Sequence, residues 1–511
     1  MTPAQRLGVE QARLDGWDRL QSGQPADAMA FFQRALEIAP HDPEALVGMA
    51  SSLRQQGQLR DAILSCDAAI RCAPHYAAAW LERAFVLTAG GSIDAAFECY
   101  TRTVELDSAN AAALAGLASI AARRGDTDDA RDAAMRALSL EPNNAIATFA
   151  LAANEIDAGE AVAAAERIET LLETLPSASP ERSVAYNLLG DARNRLGQIE
   201  AAFDAYILGK RDFADVHAVQ FAARDQSHRA FIEMIAAGVE KLADTKSWAL
   251  PECDREPPVA RHVFLLGYPR SGTTLVENIL ASLPNTTALE ERPTLRDADQ
   301  AFLSDPRGLE RLTSLDASTV QPYREAYWAK VAAARAMPPA DGMFVDMDPL
   351  KGTRLPIIAR LFPGARIIVM QRDPRDVVWS CFHTNFALTN ASYEFTDLRN
   401  TALHYDAMMR LTELCLAQFH IEAHRLRYDA LVTDFDVTTR HLCAFLGIDW
   451  SPSLRHFDRT AKERGVATAS AAQVRKPLYN GTRQWERYRN FMEPVLPILE
   501  PWVARFGFDA S

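Results

Sequence analysis

Five alanines, Ala28, Ala62, Ala96, Ala130 and Ala164, stand 34 residues apart. Four residues after each comes Phe32, Cys66, Tyr100, Ala134 or Ile168, and twelve after comes Pro40, Pro74, Ser108, Pro142 or Pro176. A period of this length has few structural solutions. One unit is too short to bury its own apolar face, so successive units must stack and share a core. An alanine lets two helices approach closely, and the residue one turn later fills the groove between them. A proline then ends the second helix, since it has no N–H to donate. After Pro176 the register slips by four residues. Ala202, Phe203 and Tyr206 then follow a further helix at Val184–Leu196, which makes a sixth unit. The first half therefore reads as an all-α solenoid over 9–212.

This pattern of small residue, large residue and proline resembles the tetratricopeptide repeat (TPR), whose stacked pairs leave a concave surface. The resemblance implies a grip for a peptide or partner protein, with a structural spacer or a homodimerisation arm as an equal alternative. Cys66 and Cys99 fall at or beside packing positions, so burial is expected of them. Residues 213–259 read as a helical linker that ends in a proline-rich stretch at Pro257-Pro258.

The second half opens with the apolar run Val263-Phe264-Leu265-Leu266. Gly267-Tyr268-Pro269-Arg270-Ser271-Gly272-Thr273-Thr274 follows, and then a helix-like segment at Leu275–Leu283. Strand, glycine-bounded loop and helix together turn backbone N–H groups and a helix N-terminus toward a phosphate-like anion. Thr273 stands where a nucleotide-triphosphate loop requires lysine. The nearest fixed cation is Arg270. A cradle without that lysine fits a phosphosulfate better than a nucleoside triphosphate with magnesium.

Further strands are expected at Met343–Asp346 and Ala365–Met370, with a helix at Leu355–Leu361 between them. Strands alternating with helices predict a parallel sheet covered on both faces, with ligands at the carboxyl ends of the strands. The segment after Met370 reads Gln371-Arg372-Asp373-Pro374-Arg375-Asp376-Val377-Val378-Trp379-Ser380. Pro374 opens a helix, Arg372 lies just before it and Ser380 two turns in. A guanidinium fork and a hydroxyl at a helix start suit phosphate oxygens. A surface ion pair is the plainer reading of Arg372-Asp373 alone. Two phosphate-type sites on strand ends point to a nucleotide bearing two separate anionic groups.

At these two constellations the chain resembles the sulfotransferases that use 3′-phosphoadenosine 5′-phosphosulfate (PAPS). The implied fold is an α/β sulfotransferase domain over 260–508, a P-loop-like parallel sheet flanked by helices. The resemblance implies that Pro269, Arg270, Ser271, Gly272, Thr273 and Thr274 bind the 5′-phosphosulfate, and Arg372 and Ser380 the 3′-phosphate. Arg427-Tyr428-Asp429-Ala430-Leu431 is similar to a segment of the bacterial TPR-sulfotransferases and tyrosylprotein sulfotransferases, which places Tyr428 near the adenosine. Gln473–Pro477 and Arg483–Trp485 resemble the C-terminal flap, with Ser470, Lys476 and Arg483 as anion contacts. Leu289-Glu290-Glu291-Arg292 occupies the place of the tyrosylprotein enzymes' G-E-E-T-R, so Glu291 is the expected general base, with Glu290 and His383 as alternatives. Arg270 is the expected catalytic cation.

The resemblance implies sulfuryl transfer from PAPS to a hydroxyl, of which a peptide or protein tyrosine is one candidate, with no metal. The competing class is a TPR adaptor whose sulfotransferase-like domain binds PAPS or its product without efficient turnover. A nucleotide kinase is disfavoured by the missing loop lysine. One departure stands out. Related enzymes carry a lysine just after the second strand, where this chain has Met347. Either another cation substitutes, with Lys351, Arg354 and Lys476 nearest in sequence or motif, or the enzyme is slow, or it only binds; a substitute cation is the expectation.

A net charge of −13 argues against nucleic acid or an anionic membrane as partner. Seven scattered cysteines without a C-x-x-C fit a reducing compartment and give no zinc signature. The start Met-Thr-Pro-Ala-Gln-Arg lacks the apolar core of a signal peptide, and no long apolar run follows. The expected location is cytoplasmic.

Overall fold

The computed structural model describes residues 1–223, 226–242, 248, 258–464, 471–475, 478 and 480–509. The first part is an all-helical TPR solenoid of paired helices, from Pro3–Gln21 and Pro25–Ile38 through Ala145–Ala158 and Ala161–Thr174. The period of the sequence has a direct structural meaning. Ala28, Ala62, Ala96, Ala130 and Ala164 are fully buried, and Phe32, Cys66, Tyr100, Ala134 and Ile168 lie beneath them at 3% exposure or less. Pro40, Pro74, Pro142 and Pro176 follow two residues after the ends of their helices at Ile38, Cys72, Leu140 and Thr174. A second series accompanies the alanines. Gly23, Gly57, Gly91, Gly125 and Gly159 share the period, and their φ values of 70° to 85° turn the chain between the helices of each pair.

The chain divides into two compact units, Met1–Pro176 with Leu188–Gln198, and Ser177–Asn187 with Ile199–Ser511. The helix Ile199–Val216 (α1) completes the last repeat-like pair by sequence, yet it belongs to the second unit. The helix His228–Glu240 (α2) is in that unit as well and buries Ile232, Ile235 and Val239 in its core.

Five parallel strands form the sheet: β1 (Arg261–Leu266), β2 (Thr286–Glu290), β3 (Met343–Met347), β4 (Arg366–Gln371) and β5 (Ala423–Arg427). Their order is β2-β3-β1-β4-β5. The apolar side chains alternate, as the two-residue period of a strand requires. Phe264, Leu266, Phe344, Ile367 and Val369 enter one core, while Val263, Leu265, Val345, Met347 and Ile368 enter the other. β2 is an edge strand that the sequence pattern does not reveal. Among the described residues it pairs only with β3, from Thr286 against Met343 to Glu290 against Met347. Its half-exposed threonines and terminal glutamate leave no apolar run to mark it.

From β1 the chain runs to the far edge of the sheet, returns as β3, and then crosses to β4 on the other side of β1. The carboxyl ends of β1 and β4 therefore flank the point where the winding reverses, which is where open parallel sheets open a crevice. The helix Thr273–Ala281 (α3) follows β1, and Pro374–His383 (α4) follows β4. The long helix Leu398–Gln418 (α5) and the short helix Phe457–Arg464 (α6) complete the elements that frame this edge.

Candidate active site

The loop between β1 and α3 owes its shape to a few backbone bonds. The Ser271 N–H donates to the Tyr268 carbonyl at 3.0 Å, and the Tyr268 N–H donates to Ser271 Oγ at 3.3 Å. Arg270 takes a φ of 69°, and Gly272, just before α3, takes 105°. Gly272 is required twice over. Besides its backbone, a Cβ there would lie 2.9 Å from Tyr428 Cδ2. Ser271, Thr273 and Thr274 are buried at the helix start, and the Pro269 carbonyl accepts the Cys381 thiol at 3.2 Å.

The two constellations of the sequence meet here. Arg270 Nε donates to Ser380 Oγ at 3.0 Å, joining the loop to α4. A second Arg270 nitrogen donates to Gln473 Oε1 at 3.0 Å. Arg372 donates to the Arg270 carbonyl at 2.8 Å and to the Gly481 carbonyl at 2.6 Å, while its buried Nε has no partner among the described residues. The same guanidinium stands 4.7 Å from the centre of the Tyr428 ring. Pro269 to Thr274, Arg372, Ser380 and Tyr428 thus share one crevice at the β1/β4 edge.

Asp376 connects this crevice to the C-terminal segment. Its carboxylate accepts the Arg483 N–H at 2.7 Å and the Trp485 N–H at 3.0 Å. Burial raises its pKa, against the pull of Arg372 and these two N–H groups. The Arg483 side chain turns outward to Glu486 at 2.7 Å, so in this arrangement its backbone, not its charge, meets the crevice. A cavity of about 200 Å³ lies alongside, lined by Arg372, Asp376, Arg427, Arg483, Trp485 and Phe508 among others. Ser470 and Lys476 lie outside the described residues.

Glu291 follows β2 directly, at the same carboxyl edge of the sheet. Its N–H donates to the Met347 carbonyl at 2.8 Å, and its φ of 47° bends the chain sharply. The residue keeps exposed surface but is crowded by other acids. Desolvation, then Asp348, Glu290 and Glu277, raise its carboxyl to about 7, with Lys351 pulling the other way. His383 has a different environment. Its Nδ1 faces the Trp379 carbonyl at 2.8 Å, its ring packs on Trp379 and Tyr206, and desolvation lowers its pKa to about 3.

The position of the missing lysine is filled in an unexpected way. Met347 is fully buried on the α3 side of the sheet. Lys351 lies toward the opposite face, ion-paired with Asp346, while Thr294 and the Tyr327 hydroxyl donate to Asp346 at 2.8 and 2.9 Å. Arg354 pairs with Asp299 at 3.2 Å. Neither therefore takes over the position of Met347, contrary to expectation. A cation on Met347's own face is Arg464, from α6, which no sequence motif marks. It donates to Glu277 at 3.0 Å and to the Ala288 carbonyl at 2.8 Å. Only the fold brings it there, because 187 residues separate it from Glu277.

The elements behind α4 are equally specific. Lys210 of α1 donates to the Thr384 carbonyl at 2.6 Å, and Asn187 donates to the His383 carbonyl at 2.5 Å. These are carbonyls that a helix end leaves unpaired. Phe203 of α1 stacks on Phe491 with ring centres 4.1 Å apart and lies 6.2 Å from Trp379. The helix that presents Ser380 is thereby capped by Asn187 and Lys210 and packed by Phe203, all within the second unit.

Residues 262–452 match the sulfotransferase family, and 19–84 and 81–145 match two tetratricopeptide repeat families. The chain carries a sulfotransferase-family domain behind a tetratricopeptide array. An uncharacterized protein of Aquifex aeolicus (strain VF5) is 29% identical over 256 residues, which is 48% of this chain and 33% of that protein. Protein-tyrosine sulfotransferase 1 of Danio rerio is 24% identical over 259 residues, 48% of this chain and 72% of the enzyme. Protein-tyrosine sulfotransferase 2 of Gallus gallus is 26% identical over 261 residues, 48% of this chain and 69% of the enzyme. The match thus spans a third of the Aquifex relative's length and about seven-tenths of the other two. Among solved structures, a thermophilic tetratricopeptide protein of Thermus thermophilus is 21% identical, covering 35% of this chain and 98% of that one, at a TM-score of 0.32. Among the described residues, no helix is long and apolar enough to cross a membrane.

Proposed function

We propose that the second unit transfers a sulfuryl group from PAPS to a hydroxyl, with a peptide or protein tyrosine as the leading acceptor. The observation that carries this reading is the convergence of Arg270, Ser380, Arg372 and Tyr428 on one anion loop. The residues fit the donor. Arg372 keeps a buried Nε without a partner among the described residues, and a Cβ on Gly272 would fill space beside Tyr428. The loop N–H groups and Arg270 would hold the phosphosulfate end, and Arg372 with Ser380 the 3′-phosphate.

When bound, PAPS supplies an activated sulfur whose bond to the bridging phosphate oxygen breaks as the acceptor oxygen attacks. Glu291 takes the proton that this hydroxyl loses, and a carboxyl raised to about 7 is matched to that task near neutral pH. His383 is the weaker candidate, since its ring packs against Trp379 and Tyr206 with a pKa near 3. Arg270 and the α3 N-terminus stabilise charge on the departing oxygen, and the product is adenosine 3′,5′-bisphosphate. The array would grip the polypeptide that carries the acceptor.

Adenosine 3′,5′-bisphosphate should raise the melting temperature by mass action, and Arg372→Ala should abolish the shift. A shift with ATP and magnesium but none with the bisphosphate would sink the assignment. The adaptor reading rests on the buried, uncharged Met347. Tight binding of labelled PAPS without label transfer to any protein of a host lysate would decide for it.

A further inference from the structure

Tyr268, the second residue of the anion loop, sends its side chain into the core at 1% exposure. Its hydroxyl meets His404 Nδ1 of α5 at 2.5 Å. The other nitrogen of His404 meets Nδ1 of His228, the first residue of α2, at 2.7 Å. His404 is fully buried, with Phe395 edge-on at 5.6 Å, and Tyr405 packs edge-on against Tyr268 at 4.9 Å. The segments that supply Tyr268, His404 and His228 are far apart in sequence, and the three polar groups make one continuous file from the loop to α2.

Burial holds His404 well below the ordinary imidazole value, so its ring is neutral and carries one N–H. Two proton arrangements satisfy the file. In one, the Tyr268 O–H donates to Nδ1 of His404, and Nε2–H donates to His228. In the other, His228 donates to Nε2, and Nδ1–H of His404 donates to the tyrosine oxygen. A second proton on His228 enforces the latter arrangement, because both of its nitrogens then carry hydrogen. The Tyr268 hydroxyl must then turn its own hydrogen away from His404. Tyr268 bonds Ser271 through both its N–H and its carbonyl, so the residue at one end of the file also holds the centre of the loop. Among the described residues, the charged and titratable groups around the file include Arg229, whose N–H donates to Glu394, Glu233 beside Arg229, and Tyr405, Cys381 and Glu394 near Tyr268.

We propose that His404 is a positioning residue for the anion loop, tying the geometry of Tyr268 and Ser271 to the protonation of His228. The proposal rests on the reading that 267–274 holds the donor's anion. Its test needs no ligand. Hydrogen–deuterium exchange of the peptide spanning 266–276 in the full chain, corrected for intrinsic pH dependence, is followed from pH 8 to pH 5.5. Protection in the wild type should fall by about tenfold toward acid, on the scale of one hydrogen bond. Tyr268→Phe removes only the hydroxyl and should leave the loop less protected and its profile flat. His404→Gln, able to accept from one neighbour and donate to the other, should keep the protection seen at pH 8. Wild-type protection and profile in Tyr268→Phe would overturn the proposal. If exchange behaves as expected but adenosine 3′,5′-bisphosphate does not bind the wild type, the positioning role stands and the ligand assignment falls.

Discussion

The repeat array and the sheet unit bury different chemistry. In the array, the buried positions are chiefly alanines and apolar side chains on the 34-residue period, and the carboxylates of Glu82 and Glu155 pair with Arg54 and Arg167. In the sheet unit, Asp346, Lys351, His262, His404, Glu277 and Asp376 all lie at 5% exposure or less. Several of these take partners from remote segments, such as Arg464 for Glu277 and Trp485 for Asp376. Stacking by nearest neighbours needs only small residues and close helices, and it makes a surface. A catalytic pocket needs ionisable groups held out of water at chosen places, and only long-range contacts supply them.

The largest effect should come from the proposed base, Glu291. Glu291→Gln should lower kcat by about two to four orders of magnitude while leaving bisphosphate affinity unchanged. The base works deprotonated, so with its carboxyl raised to about 7, kcat/KM should fall as pH drops below about 7. An ordinary carboxylate would hold the rate constant down to about pH 5. A profile flat between pH 5.5 and 8 would move the proton acceptor elsewhere.

The contrast between the units is best broken from the array side. Phe32 packs so closely on Gly48 that a Cβ there would lie 2.2 Å from the ring. Phe32→Ala should cost about 3–5 kcal/mol of local stability, read by denaturant unfolding. Bisphosphate affinity, measured by calorimetry on the folded protein, should stay as in the wild type. A weakened affinity would show that the array is energetically part of the site.

The smallest effect should be the most diagnostic of where the two regions part. Lys210→Met leaves the Thr384 carbonyl at the end of α4 without its donor, a loss of about 1–3 kcal/mol. It should weaken bisphosphate binding by up to about tenfold, since α4 carries Ser380, where Phe32→Ala does nothing. Equal affinities in both variants would make α1 a passive cover.

Much of the candidate site was legible because its residues are contiguous. Pro269 to Thr274 form one turn between a strand and a helix, and Arg372 and Ser380 sit on one helix start, so local pattern carries their geometry. β2 escaped notice because an edge strand with polar ends lacks a strand's apolar signature. Arg464, His404 and His228 escaped because nothing in their own neighbourhoods marks them, while Tyr268 and Asp376 lie in marked segments whose partners the sequence does not reveal; those partners are about a hundred or more residues away.

The repeat period, the strand–loop–helix unit and the alternation of strands with helices are all readable along the chain, since each rests on spacing within a few turns. Tertiary structure alone decided that α1 belongs to the sheet unit, that Lys351 is committed to Asp346 away from Met347, and that a glutamate beside an edge strand carries a carboxyl raised to about 7. The physical reason is range. Propensity and periodicity act along the chain, whereas burial, ion pairing and desolvation depend on which distant segments the fold brings together.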